Sequence, residues 1–163
     1  MSHVKGALEP PLIEATIGDM LDRAVASWPD AEALVSVHQG IRWTWSEFAR
    51  RVDRLAAGLL ALGLERGDRV GIWAPNCAEW TLVQFATARA GLIQVNINPA
   101  YRTVELEQAL NKVGVRMLIA AERFKSSDYV AMFDEVRHQL PELRLAYVLG
   151  DGVHPGCTPS PST

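Results

Sequence analysis

The side chains best suited to chemistry in this sequence are Cys77, the four histidines His3, His38, His138 and His154, and two cations, Arg123 and Lys125. Cys77 follows Asn76 close to an expected helix start, where the helix dipole lowers a thiol pKa and favours a nucleophilic thiolate. It has no base beside it in sequence, so a small buried cysteine is the simpler reading. The histidines show no metal-ligand spacing with one another or with Cys77 and Cys157, which argues against a zinc site. Glu142, Asp151 and the other carboxylates form no pair that would divide general-acid and general-base work, and most read as solvated helix faces. Trp43, Trp45, Trp73 and Trp80 could stack on a flat ligand, but they fall at buried or edge positions of the expected elements and read first as packing residues.

The spacings that bind nucleotides are also missing: the sequence contains no G-x-x-x-x-G-K-[ST] phosphate loop, no G-x-G-x-x-G after a strand and no G-x-S-x-G nucleophile turn. Arg123 and Lys125 lie in the loop leaving an expected parallel strand, at the sheet end where open α/β folds bind ligands. Two cations there could meet phosphates. Taken by themselves they read more simply as part of an ordinary polar loop.

The chain around these residues has 163 positions, 48% hydrophobic and 21% charged, with a net charge of -3. This is the profile of a globular domain large enough for one substantial core. The balanced charge offers no basic footprint for nucleic acid. No apolar stretch approaches the roughly 20 residues of a membrane-spanning helix. The first residues, MSHVKGALEPPLIEAT, carry neither a secretory nor a transit pattern, so a cytoplasmic address is expected, with Cys77 and Cys157 held as thiols.

Periodicity predicts a helix over Thr16 to Ser27, with Thr16 and Asp19 at capping-box spacing. Two β-rich runs, Ala33 to His38 and Ile41 to Thr44, read as a hairpin about Gln39-Gly40 that should edge a sheet. Thr44 and Glu47 repeat the capping box and open the longest helix, which Gly63 can terminate. Strand and helix then alternate: strand Arg69–Ala74, helix Asn76–Ala90, strand Leu92–Ile97, helix from a Thr103 cap to Lys112, strand Arg116–Ala120, helix Asp128–Leu140 and strand Leu145–Leu149. Such alternation specifies an α/β fold with a mostly parallel, doubly wound sheet and helices on both faces. The expected organisation is an N-terminal extension over 1–15, an α/β unit over 16–150 and a disordered tail over 151–163, rich in Pro, Gly, Ser and Thr.

The segments TIGDMLDRAVASWPDAEALV, IRWTWSEFARRVDRLAAGLLALGLERGDRVGIWAPNCAEWTLVQFATARAGLIQVNINPAYRTVELEQAL and VRMLIAAERFK resemble the N-terminal part of the adenylate-forming (AMP-binding) acyl-CoA synthetases. The likeness covers about Thr16 to Gly150. Trp43-Thr44-Trp45-Ser46-Glu47-Phe48 is similar to that family's first core motif, with Trp45 in the place of tyrosine and Phe48 in the place of leucine. Ala88-Arg89-Ala90-Gly91 through Asn98-Pro99 is similar to the second, and the wording GIWAPNCAEWTLVQFATARAG is closest to the medium-chain fatty-acid branch.

The resemblance implies a ligase that joins a fatty acid to ATP as an acyl-adenylate and then passes the acyl group to the thiol of CoA, with Mg²⁺ assisting at the phosphates. It also implies that the Ser/Thr/Gly-rich nucleotide loop and the mobile lysine-bearing C-terminal domain lie beyond Thr163. The chain alone is therefore expected to be inactive, to hold none of these cofactors tightly, and to self-associate as a homodimer or larger species. By position alone, the resemblance places Arg123 and Lys125 as contacts to the CoA phosphates; the catalytic residues are expected elsewhere. A truncated, non-catalytic α/β interaction module is the competing reading.

Overall fold

A computed structural model of the protein describes Gly6 and residues 12–150. The expected tail over 151–163 and most of the expected extension over 1–15 lie outside the described residues. The described chain begins with helix α1 (Ile17–Ser27), whose N-cap Thr16 accepts from the Asp19 amide at 3.1 Å. The Asp19 carboxylate returns the bond by accepting from the Thr16 amide at 2.9 Å. Strands β1 (Glu32–Ser36) and β2 (Ile41–Thr44) follow, joined by a 3-10 turn over Val37–Gln39 and by Gly40 at φ 65°. Helix α2 (Trp45–Ala61) opens on a second reciprocal box, in which Thr44 accepts from the Glu47 amide at 3.2 Å and Glu47 accepts from the Thr44 amide at 3.0 Å. Two orphan amides are satisfied at each helix start, so both boundaries are written in four consecutive residues.

The remainder winds as β3 (Arg69–Trp73), α3 (Ala78–Ala90), β4 (Ile93–Asn96), α4 (Thr103–Val113), β5 (Val115–Ala121), the short strands β6 (Arg123–Phe124) and β7 (Ser127–Asp128), α5 (Tyr129–Val136) and β8 (Leu145–Leu149). The main sheet is parallel, in the order β4-β3-β5-β8. This is the α/β architecture with a parallel sheet and helices on both faces that the alternation predicted.

Side chains of a strand alternate between faces, so each central strand feeds two cores. Val70 and Ile72 of β3, with Met117 and Ile119 of β5, pack against Leu21, Val52, Leu59 and Val83 from α1, α2 and α3. Trp73, Leu118 and Ala120 face the other way, against Leu106 and Leu110 of α4 and Tyr129 and Phe133 of α5. Handedness explains the division: a right-handed crossover from β3 back to β4 puts its helix on one face, while crossovers running toward β8 put theirs on the other.

Arg89 near the end of α3 ties the first layer together. Its guanidinium donates to Asp22 of α1 at 2.8 and 2.5 Å and to Asp53 of α2 at 3.0 Å. The hydrogen bonds from Arg89 outweigh the small desolvation of Asp22 and hold its carboxyl below the ordinary Asp value. The Asp19 carboxyl is likewise lowered, first by the Thr16 side chain and then by the Thr16 amide.

Four expectations are corrected at the level of elements. The hairpin does not edge the main sheet; β1 and β2 form their own two-stranded antiparallel sheet, with a register shift between Glu32 and Leu34. It turns Ala33, Leu34 and Trp43 onto the α2 and α3 layer instead. Helix α3 begins at Ala78 behind Cys77, not at Asn76. Arg102, not Thr103, is the N-cap of α4, and its amide donates to Glu105 at 3.1 Å. The final helix stops at Val136 and continues only as a 3-10 turn over Arg137–Gln139.

The packing of β3 and the α1 clamp each generate an expected outcome. A Cβ on Gly71 would lie 3.0 Å from Ile97 Cδ1 and 3.3 Å from Val115 Cγ1, closer than ordinary van der Waals contact in the buried core. Gly71→Val therefore costs about 1–3 kcal/mol by overpacking, read as a lower urea midpoint at unchanged m-value. For the acid limb the sign follows from lowered carboxyls. The contribution of Asp19 and Asp22 is fully present above the unfolded Asp pKa and is lost as pH falls through their lower folded values. Arg89→Met should flatten that acid-side loss in urea titrations between pH 7 and pH 3; an unchanged slope would count against the clamp.

Candidate functional site

The order β4-β3-β5-β8 reverses direction between β3 and β5, because β3 is followed by its neighbour on one side and β5 lies on the other. Ligands of open α/β sheets bind at such a switch point, outside the C-terminal strand ends. Three segments meet there: the turn 74–77 after β3, the loop 97–102 after β4, and the hairpin 121–128 after β5.

The floor is aromatic and closed. The ring of Trp73, fully buried, stacks on that of Tyr129 with centroids 3.7 Å apart and planes 4° from parallel. The indole Nε1 donates to the Asn98 carbonyl at 3.2 Å, and the Tyr129 hydroxyl donates to the Pro99 carbonyl at 2.5 Å. Burial pushes the Tyr129 phenol up to about 12, so it remains a donor at any physiological pH. Both rings are committed to joining the 97–102 loop to α5 rather than to holding a ligand. Trp43 is similarly engaged, stacked with Phe48 and covered by the Arg51 guanidinium 4.5 Å from its ring centre.

Above this floor the hairpin of β6 and β7 presents the two cations singled out in the sequence. Arg123 is exposed, yet its guanidinium donates to Asp128 at 2.9 Å and lies 4.0 Å from Glu122. Asp128 in turn caps α5, accepting from the Ala131 amide at 3.0 Å. Lys125 occupies the turn with φ 53° and holds its ammonium 5.3 Å from the Phe124 ring centre. The fold adds a cation that sequence reading missed: Arg102, at the start of α4, donates to the Ser127 hydroxyl at 3.3 Å. Arg102, Arg123 and Lys125 thus converge on one hairpin from two loops, although 21 residues separate Arg102 from Arg123. Chemically the group can meet an anion, and Arg123 must share its charge with Asp128 to do so.

A second cluster surrounds the N-terminus of α3. Gln39, at the end of the β1–β2 turn, accepts from the Ala78 amide at 2.7 Å through Oε1 and from the Ser36 hydroxyl at 2.7 Å. Its Nε2 donates to Glu79 at 2.8 Å. Cys77 stands beside this network as the N-cap residue of α3. Burial pushes its thiol up, overriding the hydrogen bonds from the Trp80 and Glu79 amides that favour the thiolate, so the helix start does not activate it. Burial also acts to raise Glu79, but the hydrogen bond from Gln39 and those from its surroundings prevail, and the carboxyl titrates below its ordinary value. Ser36, His38 and Cys77 border a small hollow between hairpin and helix. Among the described residues no three His, Cys, Asp or Glu side chains gather where they could hold a metal ion.

Two outcomes follow from these contacts. Gln39→Ala removes the acceptor from the first amide of α3 and the partner of Glu79, and should cost about 1 kcal/mol, comparable to losing an N-cap. Because Glu79 is lowered, its contribution is present above the unfolded Glu pKa and fades as pH falls through the folded value. Gln39→Ala should therefore cost less at pH 3 than at pH 7 in paired urea titrations. At the hairpin, a lysine at positive φ stores about 1 kcal/mol of backbone strain. Lys125→Gly removes it and should leave the thermal midpoint equal or higher, whereas a drop would show that the Lys125 side chain contributes more to folding than its backbone costs.

Comparison with known proteins identifies the family and the fold. A family model described as AMP-binding enzyme matches residues 21–158. The protein named medium-chain acyl-CoA ligase ACSF2, mitochondrial, of Mus musculus is 41% identical over 146 residues, which is 90% of this chain and 23% of that relative. The zebrafish (Danio rerio) protein of the same name is 46% identical over 145 residues, 89% of this chain and 23% of its own length. The chain thus spans about a quarter of the curated relatives it matches. Among solved structures, an acetoacetyl-CoA synthetase from Streptomyces lividans superposes with a TM-score of 0.77 at 30% identity, over 86% of this chain and 23% of that one. The expected cytoplasmic address is corrected by these relatives, which are named as mitochondrial. That expectation rested on the lack of a leader pattern at the start of this sequence, and such a lack carries no information about address. The resemblance read from the two core motifs holds, and the chain belongs to the family of AMP-binding enzymes.

Proposed function

We propose that this chain is the N-terminal α/β portion of a medium-chain acyl-CoA ligase. In that enzyme a fatty-acid carboxylate attacks the α-phosphate of ATP, releasing pyrophosphate and forming an acyl-adenylate. The CoA thiol then attacks the acyl carbon, AMP leaves, and the thioester remains. The observation that carries the reading is the 41–46% identity to two medium-chain acyl-CoA ligases across a segment that includes both core motifs.

In this reading the chain contributes scaffold and a cationic rim, while the groups that move charge during adenylation come from the rest of the protein. Stabilising a pentacoordinate phosphate requires fixed positive charge close to the reacting oxygens, supplied in such reactions by Mg²⁺ and lysine or arginine. The rim of Arg102, Arg123 and Lys125 suits a different task, holding the phosphates of the CoA nucleotide while the second step proceeds. Arg123 and Lys125 are the CoA contacts proposed from position, and the convergence of Arg102 on the same hairpin supports the assignment.

Two measurements test this. The purified chain should show no ATP–pyrophosphate exchange with medium-chain fatty acids and Mg²⁺, while the same chain joined to the C-terminal remainder of the zebrafish relative should exchange. In that joined protein, Arg123→Ala with Lys125→Ala should raise the KM for CoA roughly tenfold, the effect of losing about 1.4 kcal/mol of binding, and leave pyrophosphate exchange unchanged. Unaltered CoA kinetics would remove the hairpin from the CoA site.

A further inference from the structure

The three cations that meet at the hairpin of β6 and β7 are not equally available to a ligand. Among the described residues, Arg123 is the only one of Arg102, Arg123 and Lys125 with a carboxylate within 4.0 Å. Asp128 stands opposite it across the hairpin. Its Oδ2 accepts from the Arg123 guanidinium at 2.9 Å, while its Oδ1 accepts from the Ala131 amide at 3.0 Å and caps α5. Arg102 and Lys125 face uncharged groups instead, the Ser127 hydroxyl at 3.3 Å and the Phe124 ring at 5.3 Å.

The two bonds of Asp128 make different demands. The cap needs a side-chain oxygen, which asparagine also supplies, whereas the bond to Arg123 draws its strength from charge. The Arg123 and Asp128 side chains keep 67% and 40% of their surface exposed, so this pair is a weak one that an incoming anion can open. The anion has to replace a carboxylate already in place and then sit close to it, which lowers the affinity of the whole rim for phosphates. We infer that Asp128 is a built-in rival of the docking phosphate for Arg123: it holds the guanidinium at rest, loses it on binding, and sets how tightly the rim retains a phosphate ligand. As far as the ligand is CoA, the inference rests on the reading of the rim given above. CoA and its thioester product carry the same phosphates, so the rival weakens the hold on both and favours exchange over retention.

Titration of the 163-residue chain with inorganic pyrophosphate, followed by amide NMR shifts at residues 123–128, tests the rim without the remainder of an enzyme. Asp128→Asn keeps the cap and removes the charge, so it should leave the melting temperature unchanged and lower the Kd for pyrophosphate about two- to fivefold, the range spanned by an exposed ion pair. Asp128→Ser, which also caps, should reproduce the gain. In an Arg123→Gln background the gain from Asp128→Asn should be at most about half as large. Unchanged or weaker binding in both capping variants overturns the inference, as does the lack of any pyrophosphate-induced shift at the hairpin. An equal gain in the Arg123→Gln background overturns it too, because the effect would then be loss of negative charge and not rivalry for Arg123. In the chain joined to the remainder of the zebrafish relative, Asp128→Asn should lower the KM for CoA by a similar factor without raising kcat. Tighter pyrophosphate binding with unaltered CoA kinetics leaves Asp128 the rival of an anion and removes CoA as that anion; unaltered pyrophosphate binding in a protein whose KM for CoA depends on Arg123 and Lys125 defeats this inference and leaves the proposed function standing.

Discussion

Burial of β3 on both faces is the constraint from which the rest of the architecture follows. A strand with Val70 and Ile72 directed to one side and Trp73 to the other cannot be solvated on either. It requires two helical layers, and the only short route to them is a pair of crossovers departing in opposite directions. That requirement produces the reversal of strand order between β3 and β5, and the reversal produces the crevice at the strand ends. Gly71 sits at a tight point of β3, where Ile97, Val115 and Leu118 close over the backbone. The location of the candidate site is in this sense a by-product of packing.

The two layers are secured by different physics. On the α1, α2 and α3 side, aliphatic packing is supplemented by one arginine reaching two carboxylates on two different helices. On the α4 and α5 side the equivalent role falls to a stacked indole and phenol, each spending its polar atom on the backbone of the same loop. The first arrangement depends on ionised carboxyls and weakens in acid; the second is indifferent to pH over the range in which proteins fold.

Legibility in the sequence followed the distance over which each contact acts. The caps at Thr16 and Thr44 involve residues three apart, so their pattern is visible in a short window. The strand and helix alternation from Arg69 onward was equally legible, because burial on both faces demands unbroken apolar runs. The start of α3 was misplaced by two residues because its first amide is satisfied by Gln39, from a hairpin 39 positions away. The separateness of that hairpin from the main sheet is likewise a tertiary fact: nothing in β1 or β2 says whether an edge strand will accept them. At the candidate site, Arg123 and Lys125 were legible as cations at a strand end, whereas Arg102 joined them only through folding. The ion pair with Asp128 was hidden for a different reason, since residues five apart face each other only if the chain turns back in a hairpin that has no glycine to announce it.

The bond from the Tyr129 hydroxyl to the Pro99 carbonyl has a mechanical meaning. It spans from the helix that follows the cationic hairpin to the loop that leads into Arg102, and the Trp73 ring wedges both against the central strand. The two loops bearing the positive charges therefore behave as one stiff bracket. At the CoA site proposed above, the backbone segments that carry Arg102 and Arg123 are thus joined before an anion arrives, which lowers the ordering entropy lost on contact.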